Sequence, residues 1–541
     1  MTALTPDLTR LAAWLWAGQL RGVAHDSRRV RPGFVFVAIR GYRADGADFV
    51  PEALARGAAA VVAERPLQLG VPCVTVPSAR AALAFLVDVW MRHPSEVMHL
   101  TGVTGTNGKT TVTVMLRAIL RHAGRATGLI GTLQHETGQR MRPARMTTPD
   151  ALELGRLLRE MAGAGVEEVA MEVSSHALAL CRVDPLRFDG GVFTNVDRDH
   201  LDFHGDVEHY REAKAHLLDL MPARDPVKGE TFAALNADDP VVIGFAPRVR
   251  GRAITYGLGG GCDVSARIER EGVSTTRIRL MTPWGKETVT LGLPGRFNVS
   301  NALAAAAAAG MRGVELASIA AGLEEVDHLP GRMERLKLSG GVSALIDFAH
   351  NPAALVAMLA AARRLTHGRV VLVFGAEGEK DRSKRRPMGE AAVRGADLVF
   401  LTADNVHHEP LADILDEVAA GFAGAASGQV CVEPDRRRAI GRALAASRPG
   451  DLLVVAGKGH ETHLVVGERR LPFSDREVLL EWDRRRQESG RRGRKSVVAF
   501  PVRGDPSDRG ARGAGARGWP GAALLAPEPP PSSQAAPRPP G

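Results

Sequence analysis

The run Thr101-Gly-Val-Thr-Gly-Thr-Asn-Gly-Lys109-Thr110-Thr111 follows a short apolar stretch and precedes a helix-like one. Glycines at 105 and 108 let backbone N–H groups approach a chain of phosphates, and the start of a helix adds a favourable dipole. Gly105, Thr106, Asn107, Gly108, Lys109, Thr110 and Thr111 therefore form a candidate nucleotide-binding loop. In it, Lys109 would neutralise β- and γ-phosphate oxygens, and the Thr110 hydroxyl would ligate Mg²⁺. The spacing is not the full G-x-x-x-x-G-K-[ST] pattern, because Val103 stands at its first position. A chance glycine-rich turn is the plain alternative.

The surroundings of this loop give the fold class. Downstream, helix-like DALELGRLLREMAGAG (150–165) alternates with strand-like EEVAMEV (167–173) and GGVFTNV (190–196). Such alternation predicts parallel βαβ units. A third segment repeats the rhythm with ALIDF (344–348), RVVLVFG (369–375), DLVFLT (397–402) and DLLVVAG (451–457). Each run ends where polar and glycine residues begin, and ligands gather at such carboxyl ends in open α/β sheets. Upstream, VFVAI (35–39) and AAVVAE (59–64) mix with alanine-rich helical stretches until the chain breaks near His93-Pro94. The expected organisation is an α/β protein with segments 1–95, 96–329 and 330–486, followed by a disordered tail, 487–541. No internal repeat is visible.

Composition fits that division. A chain of 541 residues with 45% hydrophobic and 24% charged residues is ordinary for a globular protein of several domains. No stretch approaches about 20 apolar residues, so no membrane insertion is expected. Met1–Arg10 has no basic segment leading into an apolar one, so no secretory signal is expected either. Cys73, Cys181, Cys262 and Cys431 lie far apart without metal-type spacing, which suits reduced thiols and a cytoplasmic location. Of the net charge of +9, residues from Arg491 onward carry nine basic against three acidic residues, net +6, leaving +3 for the rest. That Pro/Gly/Arg-rich tail cannot bury enough apolar surface to fold. It reads as a solvated appendage, with a weak nucleic-acid or anionic-surface contact as the sharper alternative and no specific nucleic-acid partner expected.

Two further clusters carry chemistry. In MEVSSHAL (171–178), Glu172 sits inside an apolar strand, where a carboxylate is costly unless paired or metal-bound; a structural salt bridge is the plain reading. In TNVDRDHLDFHGDVEHYREAKAHLL (194–218), Asp199, His200, Asp202 and His204 crowd a strand-to-helix junction and Lys214 follows on a helix. Carboxylates and imidazoles beside a phosphate loop suit Mg²⁺ shared with a nucleotide. Capping and hydrogen bonding are the plain roles for each histidine alone.

Together these motifs resemble the Mur ligase family of ATP-dependent peptide-bond-forming enzymes, most closely its MurE type. The resemblance spans roughly residues 20–480. It rests on HDSR (25–28), TGTNGKTT, TTP (147–149), MEVSSHAL, TNVDRDHLDFHG, YREAK (210–214), GRFNVSNALAA (295–305), PGRMER (330–335), DFAHNP (347–352) and GKGHET (457–462). It implies a UDP-substrate-binding N-terminal domain, a central ATP-binding domain and a Rossmann-like C-terminal domain that brings an amino acid. By the same resemblance, Ser27 would contact uridine, and Thr147, Thr148, Ser174 and Arg182 the pyrophosphate and sugar. Glu172 and His200 would ligate magnesium. Lys214 falls where the family has a lysine carbamylated by CO₂. Asn298, Asn301, Arg332 and Asp347 would frame the nucleotide. Lys109, Glu172, His200 and Lys214 would form the catalytic set, and the enzyme would be a monomer acting on UDP-N-acetylmuramoyl-L-Ala-D-Glu for peptidoglycan precursor synthesis.

The match departs from the pattern in the pocket for the incoming amino acid. Asp404-Asn405-Val406-His407 replaces the D-N-P-R typical of enzymes adding meso-diaminopimelate, and Gly378-Glu379-Lys380-Asp381 replaces G-D-R-D. An arginine clamps a carboxylate bidentately, which histidine cannot reproduce. Gly457 and Glu461 are retained, and Asp404 and Glu461 could receive an ammonium. The expectation is therefore ornithine or lysine, with meso-diaminopimelate as the alternative. Asn351 and Ala354 also stand where threonine and an acid are common. Other family members, including a folylpolyglutamate synthetase, share the loop, but HDSR and the TTP…VSSH set argue against the folate enzyme. A non-catalytic nucleotide scaffold is disfavoured by the joint presence of Lys109, Glu172, His200 and Lys214.

Overall fold

The computed structural model describes residues 5–41, 44–272 and 274–491. The apolar runs assemble into three principal sheets. The first holds four parallel strands, Gly22–Ala24, Phe34–Val37, Ala58–Ala63 and Cys73–Thr75, in chain order. Helices Pro6–Trp16 and Ala79–Trp90 bury Leu8, Leu11, Leu15, Leu83 and Leu86 against Val35 and Val37. Thr5 and Ser78 start these helices by accepting from the backbone amides of Leu8 and Ala81.

The second sheet carries the phosphate loop. At its centre, six parallel strands run in the spatial order Arg252–Gly257, Phe232–Asn236, Gly190–Phe193, His99–Thr104, Glu168–Glu172 and Thr127–Ile130. On one face lie helices Lys109–His122 and Arg296–Met311. The run Ala304–Ala309 in the second of these is wholly buried, because alanine side chains let the helix lie close to its neighbours. On the other face lie Ala151–Gly163 and Val207–Asp219.

Beyond the parallel centre the sheet continues to eleven strands. Val264–Glu271 adds in parallel to Arg252–Gly257 and carries Thr276–Thr282 and Gly285–Leu291 as an antiparallel extension at one edge, and Gln134–Thr137 with Met141–Pro143 forms one at the other. Neither extension was expected from the βαβ rhythm. The third sheet has six strands, ordered Glu334–Lys337, Ser343–Asp347, Leu452–Ala456, Val370–Phe374, Leu398–Leu401 and Val430–Val432, all parallel after the first pair. The last helix, Asp475–Arg491, runs past residue 486, where the sequence reading ended the folded part. The remainder of the expected tail lies outside the described residues. Among the described residues, no helix is long and apolar enough to cross a membrane.

Both larger sheets send the carboxyl ends of their strands to one place. Thr106 and Val196 follow two central strands, while Phe348, Glu377, Asp404 and Gly457 follow four strands of the third sheet. All of them line a single cleft of about 610 Å³. On the third sheet, the end of that arrangement is fixed by Arg436, which is fully buried. Its guanidinium donates to both carboxylate oxygens of Asp475 at 2.8 Å and to the carbonyls of Ala403 (3.1 Å) and Ala456 (2.8 Å). Arg436→Ala would strand the Asp475 carboxylate in the interior and should cost about 3–5 kcal/mol. Urea unfolding followed by circular dichroism checks this; an unchanged midpoint would contradict the role assigned to the pair.

Candidate active site

The phosphate loop joins the strand His99–Thr104 to the helix Lys109–His122. Its shape needs glycine at two points. Gly105 (φ +144°) and Gly108 (φ +89°) occupy backbone regions that side chains disfavour, and a Cβ would lie 1.8 Å from Thr194 Oγ1 or 2.4 Å from Asn301 Oδ1. Asn195 braces the loop from behind, accepting from the Asn107 amide at 2.9 Å and donating to its carbonyl at 3.1 Å. Thr194 Oγ1 donates to the same carbonyl at 2.6 Å. Thr194 and Asn195 lie inside the quoted TNVDRDH motif, yet the sequence reading gave them no role.

Lys109 and Lys214 meet beneath this loop. Each Nζ donates to the Gly105 carbonyl at 2.8 Å, and Lys109 also reaches the Thr106 carbonyl at 3.0 Å. Lys214 is 1% exposed and lies 4.5 Å from the Tyr210 ring centroid. Burial, reinforced by the neighbouring Lys109 charge, holds the Lys214 amine well below the usual lysine range. Burial likewise lowers Lys109, partly offset by Glu172.

Glu172 ends the strand Glu168–Glu172 and is 1% exposed. The salt bridge considered from sequence is absent among the described residues. Instead, Thr110 Oγ1 donates to it at 3.0 Å, the Thr132 amide at 2.7 Å and Thr132 Oγ1 at 3.1 Å. A buried carboxylate held only by neutral donors retains most of its charge for a cation. His200 lines the same cleft, and burial brings its imidazole down to about 3, leaving a neutral ring with a lone pair to offer. The Thr110 hydroxyl, Glu172 carboxylate and neutral His200 are oxygen and nitrogen donors that fit magnesium. Among the described residues no three His, Cys, Asp or Glu side chains would hold an ion unaided, which suits an ion shared with phosphate oxygens.

Across the cleft, Arg332 stacks on Phe348 at 4.6 Å and places Nη2 3.3 Å from Thr110 Oγ1. Asp347 accepts from the amides of Met333 (2.8 Å) and Ala349 (2.9 Å), while burial pushes its carboxyl up. Asn298 and Asn301 also line the cleft, linked by a 3.1 Å hydrogen bond. Ser27, by contrast, stands apart on the first sheet's side, donating to Glu52 at 2.6 Å. Thr147 accepts from Thr132 at 3.1 Å and faces the cleft. Thr148 donates to the Glu172 carbonyl and accepts from the Ser174 amide, so its hydroxyl shapes the loop. Ser174 caps the helix Ser175–Ala179, and Arg182 donates to the Thr148 carbonyl at 3.0 Å.

The amino-acid end of the cleft differs from the sequence expectation in its charges. Asp404 and Glu461 were the candidates for an ammonium, but both have partners already. Lys458 Nζ lies 2.7 Å from Glu461 and 3.7 Å from Asp404, and Asn405 donates to Glu461 at 3.0 Å. Burial alone would raise the Asp404 carboxyl; Arg436 and Lys458 outweigh it and hold Asp404 below its ordinary value. His407 is likewise engaged, with Nε2 3.1 Å from Glu377, whose hydrogen bond raises the imidazole's pKa. A Cβ at Gly457 would press within 2.6 Å of Asp404. Lys380 lines the cleft and has no ion pair or hydrogen bond among the described residues. The cleft therefore keeps an uncommitted cation despite lacking both arginines.

Comparison with known proteins fits this geometry. Three family models cover most of the described chain: "Mur ligase family, catalytic domain" over residues 19–88, "Mur ligase middle domain" over 103–309 and "Mur ligase, glutamate ligase domain" over 331–459. The chain belongs to the Mur ligase family. It is thus an ATP-dependent ligase that forms amide bonds. It is 44% identical over 453 residues to the UDP-N-acetylmuramoyl-L-alanyl-D-glutamate--2,6-diaminopimelate ligase of Geobacillus kaustophilus, covering 84% of this chain and 92% of that protein. It is 43% identical over 474 residues to the UDP-N-acetylmuramyl-tripeptide synthetase of Roseiflexus sp., covering 84% and 93%. A solved UDP-N-acetylmuramoyl-L-alanyl-D-glutamate--2,6-diaminopimelate ligase superposes with a TM-score of 0.60 at 29% identity, covering 86% of this chain and 95% of that one.

Proposed function

We propose that this Mur ligase joins meso-diaminopimelate to UDP-N-acetylmuramoyl-L-alanyl-D-glutamate at the expense of ATP. The observation that carries the choice of amino acid is Lys380, which lines the cleft near the His407 imidazole and has no ion pair or hydrogen bond among the described residues. A second carboxylate on the incoming amino acid would meet that charge, whereas the side chain of ornithine or lysine would bring another cation to it. The names of the relatives, most of them diaminopimelate ligases, support the same choice. The expectation of ornithine or lysine took Lys380 and His407 as the loss of two carboxylate-clamping arginines.

In this reading residues 1–95 receive the UDP end through Ser27, with Thr147, Thr148, Ser174 and Arg182 around the pyrophosphate and sugar. Residues 96–329 hold ATP on the phosphate loop, and 330–486 present the amino acid. The terminal glutamate carboxylate attacks the γ-phosphate, giving an acyl phosphate and ADP. Lys109 and the loop amides stabilise the charge on the phosphoryl group in flight. The amine then attacks the acyl carbon, loses a proton, and phosphate departs. Magnesium, held by Thr110, Glu172 and His200, would neutralise phosphate oxygens when bound. Arg332, Asp347, Asn298 and Asn301 would border the nucleotide. Closing the cleft keeps water from the acyl phosphate.

Lys214 is proposed to carry a carbamate. CO₂ adds to a neutral amine with loss of a proton, and burial beside Lys109 favours that neutral form. The product is an anion beside Lys109, so a neutral amine kept uncharged by that cation becomes a group attracted to it.

Release of ADP with the UDP-dipeptide and meso-diaminopimelate, ornithine or lysine tests the substrate. Turnover should require diaminopimelate, and Lys380→Met should lower kcat/KM for it by about tenfold to a hundredfold, the size of one charged hydrogen bond. Turnover with lysine or ornithine alone would contradict the reading. Lys214→Ala should be inactive in bicarbonate buffer and regain part of its rate with added short carboxylates. Unaltered activity of that variant would dismiss the carbamate.

A further inference from the structure

We propose that Asn351 is a positioning residue that latches the amino-acid-binding unit onto the phosphate loop. The inference rests on the reading of the cleft as a ligase site that must close.

Asn351 follows the strand Ser343–Asp347 and caps the helix Pro352–Leu365. Its Oδ1 accepts from the Ala354 amide at 2.9 Å. That cap requires an acceptor, so the carboxamide can face only one way, and its Nδ2 must point out from the helix. There Nδ2 lies 3.2 Å from Asn107 Oδ1 and 3.2 Å from Asp199 Oδ2. Both acceptors belong to the central unit: Asn107 is in the phosphate loop, and Asp199 directly precedes His200. One side chain thus starts a helix in one unit and spends both its amide protons on another.

Two neighbours strengthen the clasp. His350 Nε2 stands 3.6 Å from Asp199 Oδ2, and Lys384 Nζ stands 3.8 Å from Asp199 Oδ1. Asp199 is 2% exposed and Asn351 1%. A carboxylate of the central unit is therefore buried against an amide and two basic groups of the C-terminal unit, and separating the units would return all of them to water. The contact is specific to a long amide. A threonine at 351 could still cap the helix, but its single hydroxyl sits on Cβ and cannot also supply two donors farther out. With alanine at 354, no acid at that position reaches back to the cap as in a capping box. The sequence departures at 351 and 354 thereby acquire a joint purpose: the cap is kept by the asparagine oxygen alone, and the nitrogen is released for the latch.

The test compares the full-length chain with Asn351→Thr and Asn351→Asp. Both retain a helix cap, but the first loses reach and the second sets a carboxylate against Asp199. Hydrogen exchange of ligand-free protein, read by mass spectrometry over 105–111 and 196–204, should be about tenfold faster in both variants, and kcat should fall about tenfold, as expected for losing hydrogen bonds to a buried charge. The melting temperature should change little. Exchange and kcat equal to wild type in both variants would overturn the proposal. So would a lowered melting temperature with exchange unchanged in those two segments, which would leave a cap and nothing more. The exchange measurement needs no substrate, so it decides on the latch even if the substrate assigned above is wrong.

Discussion

The phosphate loop must hold a backbone that only glycine readily allows at two points while most of it is buried, and much of the structure answers to that constraint. Gly105 and Gly108 permit the necessary backbone, and Thr194 with Asn195 hold the loop from behind. The carbonyl of Gly105 has been turned inward, where it accepts from both Lys109 and Lys214. Each stabilising contact brings another polar group into the interior. The consequence is a compact set of ionisable groups, Lys109, Lys214, Glu172 and Asp199, the last three of them buried.

Parallel sheets make this economical. Each strand delivers its carboxyl end to the same side, so loops distant in sequence converge without long connections. Asn107 and Asn351 are separated by 244 residues and share a hydrogen bond. Because the central and third sheets each contribute such an edge, the cleft between them can join a phosphate-bearing and an amine-bearing substrate.

Local patterns made the loop and the alternating strands and helices legible in the sequence, since each depends on residues within one or two turns of chain. Residue chemistry singled out Glu172 and His200, and resemblance added Arg332 and Asp347; all four line the cleft. What could not be read was pairing. Asp404 and Glu461 looked available until Lys458 was placed between them, and the freedom of Lys380 is a property of every neighbour that does not reach it. The antiparallel strands over 264–291 were missed because their edge position breaks the βαβ rhythm used to find the rest. Asn351 was visible as a departure, but its partners lie 244 and 152 residues away.

In the proposed reaction a glutamate carboxylate attacks ATP before any amide forms. The most direct measurement uses UDP-dipeptide labelled with ¹⁸O in the terminal glutamate carboxylate, together with ATP and meso-diaminopimelate, and weighs the released phosphate. Transfer through an acyl phosphate places one labelled oxygen in each phosphate. Unlabelled phosphate formed alongside the tripeptide product would contradict the mechanism.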